Sequence, residues 1–242
     1  DAQVSLESSQ ISYKKLTQPA DALAMMQAEN SLVQAQDAVK TAEANLAKSY
    51  EDGFADVTNA FVDYPTIVNG LNDVLLGSSF SIGGFNIDYY TDRIKSFDKS
   101  SKPDEYYSLA YSSFAAAKTS YTKTSSSYKA TSIFSDKDKI ESLISDSYET
   151  AKKISDAVKG ASSLVQLYKD TMTSNNADAQ SLATTHLSSL NSYSAKATTH
   201  LNALASAKTS IQNAKTSLEN AKRSLQEKTQ SLVDLKAGAS DL

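Results

Sequence analysis

Residues 197–225 read ATTHLNALASAKTSIQNAKTSLENAKRSL, and their spacing decides the fold class. Leu204, Ile211, Leu218 and Leu225 recur every seven positions, and the series extends outward to Leu190, Ala197 and Leu232. Three residues after each stand Tyr193, His200, Ala207, Ala214, Ala221, Lys228 and Leu235. This is an a/d heptad pattern, large at a and mostly alanine at d, and it predicts an α-helical coiled coil. A methyl group at d lets two helices approach closely. Lys208, Lys215 and Lys222 run beside this seam among Ser, Thr, Asn and Gln as a solvated face. No proline falls between 178 and 237. One helix of about 178–236 is expected, roughly 85–90 Å long at 1.5 Å per residue.

The same code occurs near the N-terminus. Met25, Leu32, Val39 and Leu46 are seven apart, with Ala28, Ala35, Ala42 and Ser49 three further on. Glu29, Gln36 and Glu43 flank this stripe and offer partners to the lysines of the return helix. Two copies of one pattern, far apart in sequence, read as the arms of an antiparallel hairpin; the pattern alone also permits parallel pairing across chains. Each arm carries a break, at Gln18-Pro19 and at Ala237-Gly238. With the breaks at one height, Tyr64 and Tyr193 mark a common far end. Residues 1–17, with Val4, Leu6, Ile11, Tyr13 and Leu16, form a further short helical segment.

Between the arms the strict heptad is lost and aromatic residues concentrate, which calls for a thicker core than a two-helix seam. The expected elements are a short helix at 66–76, a glycine/serine loop through Gly83-Gly84, and a second short helix at about 87–98. A long helix follows from Pro103 to about Ser132, then another over 136–174. Ser135-Asp-Lys-Asp138 reads as a capping box, and Asn175-Asn-Ala-Asp178 as the turn into the return helix. The expected fold is all-α: a long antiparallel coiled-coil hairpin with an inserted multi-helix bundle at its distal end. The ascending arm takes 1–63, the bundle 64–187 and the descending arm 188–242.

Composition narrows the chemistry. The 242 residues include no Cys and no Trp, only 3 Pro and 7 Gly, and carry a net charge of -4. There is no disulfide framework, no thiolate nucleophile and no run of apolar residues long enough to span a membrane. The mildly acidic balance argues against a nucleic-acid groove. No signal peptide is legible, and the abrupt start and end within helical pattern suggest a fragment. His186 and His200, the only histidines, lie 14 apart on one helix, about 21 Å, too far to share a metal ion. His200 reads as a seam residue and His186 as a surface or bundle-edge residue. Asp104, Glu105, Asp136, Asp138 and Glu141 read as helix N-terminal charge. Nucleotide, zinc, EF-hand and serine-hydrolase motifs are absent. The expectation is no catalytic residue, no cofactor and no metal. Tyr106, Tyr107, Tyr111, Tyr121 and Tyr128 read as core plus rim, and those left exposed as an interface with a partner or a second copy.

The arms carry a resemblance. QAENSLVQAQDAVKTAEANL (27–46), IQNAKTSLENAKRSL (211–225) and LKAGASDL (235–242) resemble the α-helical hairpin of periplasmic adaptor proteins, the membrane fusion proteins of tripartite efflux pumps and type I secretion systems. The resemblance covers roughly residues 1–62 and 190–242. It implies a non-catalytic extracytoplasmic segment that bridges an inner-membrane transporter to a channel or envelope component. Anchoring would lie outside these residues, and homo-oligomers would form in the full-length protein. In that setting Met25, Leu32, Val39 and Leu46, with Leu204, Ile211, Leu218, Leu225 and Leu232, would be the stiffening seam. The family's lipoyl and β-barrel portions are absent here, and about 120 residues of bundle replace its short tip. The alternative is a free-standing coiled-coil interaction or surface spacer protein.

Overall fold

The computed structural model describes residues 2–16, 22–80 and 84–237, and every regular element among them is helical. The helices are α1 (Ala2–Leu16), α2 (Ala22–Leu76), α3 (Asn86–Lys95), α4 (Lys102–Lys129), α5 (Lys137–Ser174) and α6 (Ser181–Ala237). The expected breaks at Pro19 and Gly238 lie outside the described residues.

The separate short helix expected at 66–76 is instead the end of α2, which runs through Pro65. Proline there removes the hydrogen bond to the Phe61 carbonyl, a defect of about 3 kcal/mol in a helix interior. Tyr64, Ile67, Val68 and Leu71 around it are buried, and this packing holds the turn in place. No helix among the described residues is long and apolar enough to cross a membrane.

The chain forms two compact units, residues 1–49 with 211–242 and residues 50–210. In the first, burial follows the heptad. Ala35, Ala42, Ile211 and Leu232 are buried, and Met25, Leu32, Val39, Leu46, Leu218 and Leu225 are half-buried. Two helices can cover only one stripe of each other, so the rest of each surface stays wet. Glu29 pairs with Lys236 at 3.8 Å and Glu43 with Lys222 at 4.0 Å. The residue numbers of both pairs total 265, so these stretches of α2 and α6 run in opposite directions. All four residues occupy e positions, and contacts between e positions are those an antiparallel pair makes. Levelling Pro19 with Gly238 would give a total near 257; the observed register differs from that expectation by about one heptad. On α1, Val4, Leu6, Ile11 and Tyr13 are exposed.

The second unit packs α3, α4 and α5 with the remaining lengths of α2 and α6. Its core is thick, with Tyr64, Tyr90, Tyr168, Leu71, Ile87, Ile144 and Ile154 all fully buried. Small residues bring α4 and α5 close: a Cβ added to Gly160 would stand 3.2 Å from the Ala110 Cα. The capping box expected at 135–138 does not form. Asp136 is the N-cap without a side-chain cap bond, while the Ser135 hydroxyl oxygen accepts from the Ser132 N–H at 3.0 Å. A reciprocal cap bond occurs at α3, where Asp88 accepts from the Phe85 N–H at 3.0 Å. The α5–α6 turn falls where expected. Asn176 takes a left-handed φ of 51°, and the Ala177 N–H reaches back to the Met172 carbonyl at 2.9 Å. Asparagine tolerates that conformation better than most residues do.

Candidate functional site

Continuing the first arm's small positions in sevens, from 28 through 49, lands on Asp56, Asp63 and Gly70. In the second unit Asp63 and Gly70 meet residues of α6. Gly70 lies against Tyr193, where an added Cβ would overlap the phenol ring and hydroxyl. Tyr193 therefore stands beside Gly70, six residues further along α2 than the expected partner Tyr64. One glycine makes room for one tyrosine, which is a specific fit between the two helices.

Asp63 meets His200. The His200 Nε2 is 2.8 Å from Asp63 Oδ2, and the Lys196 ammonium donates to Oδ1 at 2.6 Å. These two hydrogen bonds, Lys196 first, hold the Asp63 carboxyl below the usual carboxylate range. The His200 ring also stands edge-on to Tyr64 at 5.9 Å. Tyr64 in turn donates its hydroxyl proton to the Ser147 carbonyl on α5 at 3.1 Å. Nearby Asp56 is pushed up by burial and then by the charge of Asp52, with His200 acting in the opposite sense. His200 is thus a buried seam residue, as its d position predicts.

His186, expected as a surface or bundle-edge residue, is not on the surface. It is buried, with Nδ1 hydrogen-bonded to the Tyr90 hydroxyl at 2.8 Å. Burial disfavours the imidazolium and lowers the pKa of His186; burial also raises the phenol of Tyr90. The two imidazoles have separate partners on separate elements. Among the described residues no group of three or more His, Cys, Asp or Glu could hold a metal ion.

The α4 tyrosines divide. Tyr128 stacks on Phe61 of α2 at 4.6 Å with an interplanar angle of 4°, and Tyr121 lies on the same ring at 6.2 Å. Both are half-buried rim residues. Tyr107 and Tyr111 stack on each other at 6.2 Å, and Tyr111 and Leu109 are both exposed. Tyr106 lies under the Lys102 ammonium at 5.9 Å. The five tyrosines do not form one surface, because α4 turns two of them toward α2.

Sequence reading missed Asp63, Gly70 and Asn86. The first two were reachable by carrying the heptad past Ser49. Asn86 was not: its fully buried amide donates to the Asp73 carbonyl at 2.9 Å and accepts from the Ser79 N–H at 3.0 Å, tying the loop to α2. These groups hold helices in register and position. Compared with known proteins, the chain matches no family model, no curated protein and no solved structure.

Proposed function

We propose that this chain is a non-catalytic structural segment, a long antiparallel helical hairpin carrying an inserted helical bundle. In this reading it serves as part of an extracytoplasmic adaptor of the membrane fusion type. One observation carries it: the ion pairs Glu29–Lys236 and Glu43–Lys222, in opposite-running stretches whose a/d residues turn inward. A stiff pair of this kind transmits position and length, and its surface offers a docking stripe to other helices. The seam would be Met25, Leu32, Val39 and Leu46 against Ile211, Leu218, Leu225 and Leu232, with Leu204 continuing it.

The test is cross-linking of the intact protein in cells, followed by identification of partners in the membrane fraction. A transporter or channel component among the cross-linked partners is the expected result. Recovery of soluble proteins alone overturns the adaptor reading and favours a free-standing coiled-coil spacer.

A further inference from the structure

Within residues 50–210, α4, α5 and α6 leave an open groove of about 730 Å³ between them. Each helix gives it one stripe at helical spacing. From α4 come Lys102 and Tyr106; from α5, Gln166 and Asp170; from α6, Ser188 and Asn191. A second hollow of about 300 Å³ shares Lys102, Leu167 and Asp170 and carries the groove on to Asn175. From Ser162 to Asn175 the floor runs about 20 Å along α5.

Three features set this groove apart from an ordinary gap between helices. Six of its lining residues are Ser, Thr, Asn or Gln, three are charged, and Leu167 and Leu187 are aliphatic. An aromatic ring, Tyr106, stands in the wall with a lysine over it. Gln166 donates to Asp170 at 2.7 Å, which fixes a carboxylate and an amide side by side. Planar amide and carboxylate groups match pairs of neighbouring hydroxyls, and an aromatic face matches the C–H face of a sugar ring.

We propose that this groove binds a short linear glycan, with Tyr106 as the stacking platform and Gln166, Asp170 and Asn191 as hydroxyl partners. Lys102 and Lys169 would tolerate or favour an acidic sugar. The other polymers fit less well. An extended peptide binds by joining a sheet edge or by filling apolar pockets, and helical walls with two leucines supply neither. Nucleic acid asks for a basic track, while this groove has two lysines and an aspartate on a chain of net charge -4.

The experiment is a titration of the whole chain, followed by amide NMR shifts and calorimetry. The probes are chitotetraose, tetragalacturonic acid and a Ser/Thr-rich acidic peptide. One of the two sugars is expected to shift resonances of residues 102–106, 162–170 and 184–191. Tyr106→Ala should weaken that binding at least about tenfold, by loss of a stacking contact. Tyr106→Phe, which keeps the ring, should bind within about threefold of the parent. The pair Gln166→Ala and Asn191→Ala should abolish saturation, and Tyr111→Ala, outside the groove, should change nothing. Silence from both sugars overturns the proposal, as does binding indifferent to Tyr106→Ala or confined to the peptide. The proposal does not depend on the adaptor reading, and either can fail alone.

Discussion

Gly70 and Tyr193 test packing at the level of single atoms. A methyl group at Gly70 has no space until the Tyr193 ring moves, so Gly70→Ala should destabilise the protein by about 1–3 kcal/mol. Tyr193→Leu removes the obstructing ring, and the two substitutions together should cost less than the sum of their separate effects. A double-mutant cycle from urea unfolding measures that coupling, and strict additivity would refute the fit. His186 supplies a second residue-scale test. Its pKa is lowered in the folded state, so the unfolded chain binds the extra proton more readily. Stability is therefore complete above the unfolded value of about 6.5 and falls as pH drops through it toward the lower folded value. The melting temperature should decline between pH 7 and 5, and His186→Gln should flatten that slope. Asp63, also lowered, acts in a separate window: its contribution holds above the ordinary carboxylate range and is lost in stronger acid.

Helices α2 and α6 raise the question of register. Over 25–49 and 204–225 every seventh position carries the same large or small residue type, so sliding one of these stretches by seven leaves their seam nearly unchanged. The flanking charges discriminate. In the observed register Glu29 faces Lys236 and Glu43 faces Lys222, with neutral Gln36 and Thr229 between them. One heptad of slip would put Glu29 opposite Thr229 and leave one matched pair. Exposed pairs contribute roughly 0–1 kcal/mol each, enough to bias a choice between near-equal alternatives. The chain has no cysteine, so engineered thiols read the register cleanly. Ala42→Cys with Ala221→Cys should form an intramolecular disulfide. Ala42→Cys with Ala214→Cys should not, since one heptad separates the partners by about 10 Å. Non-reducing gels of purified monomer distinguish the two, and the reverse result would contradict the register.

At the scale of the molecule, the two compact units differ in how they are stabilised. Residues 22–49 and 211–237 bury one stripe in which most of the large side chains are only half-covered, whereas the 50–210 unit has a fully buried core that includes three tyrosines. Local opening follows buried contact, so amide hydrogen exchange should be faster in the first unit by at least about tenfold. Mass spectrometry after deuterium labelling checks this, and equal protection would show one cooperative unit. Leu204, fully buried on α6, should cost about 2–5 kcal/mol when changed to Ala, and its loss should be felt first in the 50–210 unit.

The residue pattern alone determined that the chain is helical and where five of the six helices described begin and end, to within a few residues. It also marked an apolar stripe over 25–49 of α2 and over 190–235 of α6, because a seven-residue repeat gathers its large and small residues on one side of a helix. The helix α2 ran past its expected end because packing around Tyr64 and Ile67 outweighed Pro65, a balance that depends on neighbours distant in sequence. The burial of His186 is of the same kind: its partner Tyr90 lies 96 positions away. Register was also decided in three dimensions. A periodic code repeats itself under a heptad shift, and only unique contacts break that degeneracy: Gly70 with Tyr193, Asp63 with His200, and the matched charges at the flanks.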